Sequence, residues 1–265
     1  EASQAVRSRG AESEVLIPEG LGDYNDHAVE GELLPKLKPV NVPVEYDFNR
    51  NDRGRYLNTK DNVKGVLMLN DIDVRYNVIK KRMEIDVPDT KFIADMQDES
   101  ALIEIEDRCI QMQIPESKVR DYLKLLAVEY NPVMDWMESR PWDRQSRLQA
   151  FLDSITSTNQ ALKEMLMKKW LISCVAAACE PKGVELEGIL VFQGAQGLGK
   201  TLWFKRLANY EEGWLLEGAT LNPADKDSVK QAVSHWIVEL GELESTFKKS
   251  DIDMLKAFTT KRNDE

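Results

Sequence analysis

Cysteine is scarce: the chain has three in 265 residues. An odd number at unrelated spacings supplies neither a disulfide framework nor the ligand pattern of a zinc site, and makes the cytoplasm the default compartment. Cys174 and Cys179 lie on an apolar run and read as core residues. Long apolar stretches are missing too. The longest, residues 170–179, contains Ser173 and falls well short of the ~18 residues a membrane span needs. Positive charge is in deficit, with 35 Lys and Arg against 46 Asp and Glu and a net charge of −11. That excludes a surface able to grip nucleic-acid phosphates everywhere, so any such site must be local or assembled in an oligomer.

What is present is enough apolar material, 42% of residues, for one large domain or two modest ones. Residues 1–41 are rich in Glu, Gly, Ser and Pro and read as a tail or linker of an upstream domain. Residues 42–130 read as a mixed α/β domain: a helix over 62–69, a hairpin from 75–79 and 82–85 turning at Lys80-Lys81, a helix over 100–112, and another from Pro115 to about Tyr130, stopped by Asn131-Pro132. Residues 131–187 read as a helical entry region, with helices over 133–139, 146–154 and 160–178. From residue 188 the texture changes to a buried strand over 188–192, a glycine loop and a helix over 200–208. An apolar run at 214–216, a helix over 225–233, a strand over 235–240 and a helix over 250–258 follow. Residue 1 is Glu, and no closing element follows Lys261, so the chain is expected to be a piece of a longer protein.

The glycine loop carries the most specific chemistry. Gly194-Ala195-Gln196-Gly197-Leu198-Gly199-Lys200-Thr201 has P-loop (Walker A) spacing, and strand, loop and helix is the context such a loop requires. Its glycines let successive N–H groups turn toward phosphate oxygens, and the helix opening at Lys200 adds its positive end. Lys200 is expected to pair the β- and γ-phosphates of ATP, and Thr201 to ligate Mg²⁺. The acidic partner such a loop needs is sought in the apolar strand Trp236-Ile237-Val238-Glu239-Leu240-Gly241-Glu242-Leu243-Glu244. Glu242, just past the strand end, is the first choice for activating water and reaching the metal; Glu239, inside the run, is the second for the metal and needs a buried partner. Glu244 is read as a solvated charge, His235 as a satisfied edge residue, and Lys226, Lys248, Lys249 and Arg262 as solvated charges. Tyr130, Trp136 and Trp142 could stack bases but read better as anchors of helix packing.

The glycine loop with its strand resembles the virulence-associated E (VapE-like) family of phage and mobile-element proteins. So do Asp225-Lys226-Asp227, the strand with Glu239 and Glu242, Leu255-Lys256-Ala257-Phe258, and, upstream, Arg140-Pro141-Trp142-Asp143 with Arg147-Leu148. The resemblance covers residues 131–265. It implies an AAA+-like P-loop ATPase akin to superfamily III primase-helicases, built on a parallel sheet, acting on DNA as a ring, as a hexamer when full length, in the cytoplasm of a bacterial host. It also implies sensor and arginine-finger residues beyond Glu265, so that the chain alone is expected to be a poor ATPase. Residues 17–26, with Asp23-Tyr24-Asn25-Asp26, resemble the tail of Toprim-type primase domains and imply a primase in cis. The expected function is an ATP-dependent DNA helicase module without a membrane association. The rivals are a P-loop phosphotransferase, for which no arginine-rich lid is visible after the loop helix, and a nucleotide-binding regulatory or assembly module without turnover.

Overall fold

The computed structural model describes residues 46–180, 183–186, 188–211, 213–241 and 255–260, together with the backbone of two short strands, β1 (Val15–Ile17) and β2 (Lys38–Val40), which pair antiparallel. The string Asp23 to Asp26, and with it the primase-tail reading, lies outside the described residues, as does most of the tail.

The first layer of structure follows from local chemistry. Thr59 caps α1 (Lys60–Leu69) by accepting from the Asn62 amide, and Val63, Val66 and Leu67 fall on one buried face at helical spacing. The hairpin of β3 (Asp73–Asn77) and β4 (Arg82–Asp86) forms as expected, and its turn places Lys81 at φ 55°. Helix α2 (Gln97–Gln111) and α3 (Val119–Leu126) pack with α1 over the sheet, burying Ile105, Ile114, Val119 and Leu123.

The expected helix to Tyr130 ends early. Ala127 adopts φ −57° and ψ 130°, outside the helical region, and Val128–Tyr130 becomes strand β5, parallel to β3, completing a sheet of order β4-β3-β5. Asn131 and Pro132 therefore start an element instead of stopping one: Asn131 accepts from the Met134 amide and Pro132 occupies the first turn of α4 (Pro132–Glu138). Helices α5 (Leu148–Asp153) and α6 (Gln160–Cys179) follow. Buried Lys163 of α6 donates to the carbonyls of Leu152 and Ile155 at 2.7 and 2.9 Å, satisfying groups that the end of α5 leaves open. None of the described helices is long and apolar enough to cross a membrane.

Beyond α6 come α7 (Lys200–Leu207), β6 (Leu215–Ala219), α8 (Lys226–Val233) and β7 (Ile237–Leu240). β6 and β7 pair in parallel across the α8 crossover. Asp225 caps α8 by accepting from the Asp227 amide, and residues 255–259 are helical. The parallel sheet expected for a P-loop core is small here, a single pair among the described residues. Residues 188–192, expected as its buried strand, join no ladder among the described residues, with Ile189 43% and Val191 60% exposed. A strand exists only through its neighbours' hydrogen bonds, and between this segment and β7 lies an open cavity of about 1250 Å³ lined by Trp170, Phe192, Phe204, Val238 and Leu240.

The hairpin tip joins the two halves. Ile79 is buried with Val133, Ala178, Ala208 and Trp214, so the turn of the first sheet sits in the core beneath α7 and β6.

Candidate functional site

The glycine loop leads directly into α7. Gly197 and Gly199 hold φ of 83° and 76°, and a Cβ at either would meet nothing within 4 Å. The left-handed backbone, not lack of room, therefore calls for glycine there. Gly199 is also the residue from which α7 starts, so the helix's unpaired amides open onto the loop. A concavity of about 470 Å³ lies over it, lined by residues 196–202 and Lys205.

Lys200 folds back over the loop, its Nζ donating to the Gly194 and Ala195 carbonyls, each at 2.9 Å. This puts an ammonium over the loop, against two of its carbonyls and beside the start of α7, a setting for an anion. One helical position on, Thr201 Oγ1 donates to Glu239 Oε1 at 2.6 Å. The distance is short, as expected when the acceptor is charged. A hydroxyl and a carboxylate so joined at the start of the helix form an all-oxygen donor pair of the kind Mg²⁺ takes beside phosphate oxygens. Among the described residues no cluster of three or more His, Cys, Asp and Glu side chains is gathered for a metal, so a cation here would need donors beyond such side chains.

α7 is fixed from behind by rings. Trp203 and Phe204 pack on Phe192 at 5.4 and 5.1 Å between centroids, Phe151 lies 5.0 Å from Trp203, and Trp170 lies 5.5 Å from Phe204. The Trp203 indole donates to Ser154 Oγ at 2.9 Å, and Lys205 pairs with Glu217 of β6 at 2.9 Å.

The residues expected at the site are thus brought together in part. Residues 194–201 form the loop, and Glu239, ranked second, is the acid that reaches it. Glu242 lies outside the described residues, as do Glu244, Lys248, Lys249 and Arg262. The signal that would have promoted Glu239 was present: a carboxylate inside an apolar strand is costly without a partner, and Thr201 is that partner. His235 Nδ1 lies 2.8 Å from the Gln231 carbonyl, a satisfied edge residue. Lys226 opens α8 at the surface. Cys174 is buried as expected, but Cys179 is exposed, at the last turn of α6 where the helix leaves its cover. Trp136 anchors packing, edge-on to Trp214 and Trp236 at 5.5 and 6.3 Å, and the Tyr130 hydroxyl donates to Glu84 within the first sheet. Trp142 is no anchor: it is 74% exposed.

Residues 137–265 match the family model of the Virulence-associated protein E-like domain. Over these residues the chain is similar to the VapE-like domain. The match takes in the Trp142 turn, the glycine loop, α7 and both parallel strands, and it begins within α4, close to the boundary the sequence suggested. No curated protein and no solved structure matches the chain.

Proposed function

We propose that this chain is the ATP-binding motor part of a DNA helicase of the phage or mobile-element primase-helicase kind, working as a ring. The observation that carries the reading is the 2.6 Å hydrogen bond from Thr201 to Glu239, which places an acid from a neighbouring parallel strand beside the first turn of the glycine-loop helix, with Lys200 at the loop's mouth. In this scheme Lys200 exchanges the Gly194 and Ala195 carbonyls for the β- and γ-phosphates of ATP, and the amides of residues 195–200 surround them. Thr201 and Glu239 hold Mg²⁺, which when bound spreads and neutralises phosphate charge. Glu242 orients the attacking water, and an arginine from the next subunit stabilises the charge that develops on the transferred phosphoryl group.

The test is phosphate release stimulated by DNA, together with displacement of a labelled strand from a fork. Lys200→Ala should abolish both, and Glu239→Gln should lower turnover by about 100-fold or more, in the range of losses that follow removal of a charge-stabilising group. Turnover unaffected by either substitution would sink the proposal. Tight ATP binding without turnover in an assembled protein would favour a nucleotide-dependent assembly module instead.

A further inference from the structure

The chain has six tryptophans, and five of them, Trp136, Trp170, Trp203, Trp214 and Trp236, lie in ring contacts within the cores. Trp142 makes no ring contact among the described residues and is 74% exposed, in the turn between α4 and α5. Its indole takes no part in the buried clusters of the fold.

The turn is nonetheless ordered by its own bonds. The Trp142 indole donates to the Gln145 carbonyl at 3.4 Å, and the Gln145 amide donates to Asp143 Oδ1 at 3.0 Å. Asp143 accepts a two-pronged contact from Arg147 at 2.9 and 2.5 Å. The Arg147 hydrogen bond, then the Gln145 amide, hold the Asp143 carboxyl down at about 2. Arg144 sits at φ 64°, in the left-handed region, closing the turn. Asp143 is thereby neutralised by Arg147, while Arg140 and Arg144, both exposed, have no acidic partner among the described residues. The result is a pre-formed indole face with a free guanidinium two residues to either side, in a chain whose net charge is −11.

We propose that this turn is a docking platform for single-stranded nucleic acid. An unpaired base stacks on Trp142, and Arg140 and Arg144 meet the phosphates flanking it. Stacking tolerates any base, and guanidinium contacts follow the backbone, so the site is expected to be sequence-tolerant. Because the turn is already ordered, little conformational entropy is lost when the strand docks. The proposal extends the motor reading to the strand itself and rests on it only for the choice of nucleic acid as substrate.

The test uses the full chain without nucleotide, with fluorescence anisotropy of labelled oligo-dT, oligo-rU and a duplex of equal length. Trp142→Ala is expected to weaken binding of the single strands by about tenfold and Trp142→Phe to restore most of it, with thermal midpoints unchanged because the side chain is exposed. Replacing Arg140 and Arg144 together by Ala should lower the slope of log K against log salt by about 1.4. The two oligonucleotides separate DNA from RNA as the source of the strand, and either supports the platform. Strand affinity unchanged in Trp142→Ala, or no measurable strand binding by the wild type, overturns it. So does loss of self-association in Trp142→Ala without loss of strand affinity, which would make the turn a subunit contact. Lys200→Ala should leave this binding intact, so failure of the ATP site and failure of the platform are read separately.

Discussion

Single residues in this protein are decided by what their polar or polarisable atoms meet. Buried Asn62 has its side chain fully used: Oδ1 accepts from the Asn49 amide at 2.7 Å, and Nδ2 donates to the Asn49 and Leu57 carbonyls at 2.9 and 2.8 Å. The loop ahead of α1 is tied to the helix by those bonds. Glu84 shows opposed effects: burial pushes its carboxyl up, but hydrogen bonds from Tyr130 and Asn77 and the charge of Lys80 outweigh it and hold it low. The cysteines divide by environment. Burial raises the Cys109 thiol to about 11 and the Cys174 thiol to about 12, whereas Cys179 is exposed. Because the thiolate is the reactive form, a raised pKa keeps a thiol protonated and inert up to that pH. Thiol titration of the folded protein at pH 8 should therefore detect Cys179 alone, and raising the pH to 10 should add little. Cys179→Ser should remove the fast reaction, and denaturant should restore Cys109 and Cys174 to view. Rapid labelling of Cys174 in the native state would contradict this.

At the scale of elements, helix α1 shows propensity overridden by packing. Gly65 lies mid-helix, where alanine is intrinsically better by about 1 kcal/mol. A Cβ there would lie 2.4 Å from Tyr46 Cδ1 and 2.7 Å from Phe48 Cε1. Gly65→Ala should therefore destabilise the protein by about 1–3 kcal/mol, read from urea midpoints; a stabilised variant would show that the rings give way freely. Elements whose cause is local were legible in the sequence. The capped helix α1, the β3–β4 hairpin, α6 and the loop helix α7 follow from caps, alternation and glycine spacing within a few residues. Those whose cause is remote were not. Val128–Tyr130 is a strand because β3 lies beside it, and residues 188–192 have the composition of a buried strand but no strand neighbour among the described residues. The glycine loop and an acid inside the β7 run that needs a partner were both readable locally, whereas the identity of that partner, Thr201, depends on how β7 is set against α7.

At the scale of the molecule, the two halves share a seam. Ile79 from the first sheet's turn lies in one cluster with Val133, Ala178, Ala208 and Trp214. The Asn131 side chain donates to the Ala178 carbonyl at 2.7 Å, tying the start of α4 to the end of α6. The glycine loop thus stands on a base to which both halves contribute: α7 is braced by rings from α5 and α6, and Trp214 and Trp236, which lead into β6 and β7, pack in the cluster of the hairpin tip. The central claim is that this base presents Lys200, Thr201 and Glu239 to the phosphates and metal of MgATP. Isothermal calorimetry of MgATP against the wild type, Lys200→Ala and Thr201→Ala tests it most directly. The account predicts saturable binding to the wild type, its loss in Lys200→Ala, and in Thr201→Ala a loss of the Mg²⁺ dependence; MgATP binding that is the same in all three proteins would contradict it.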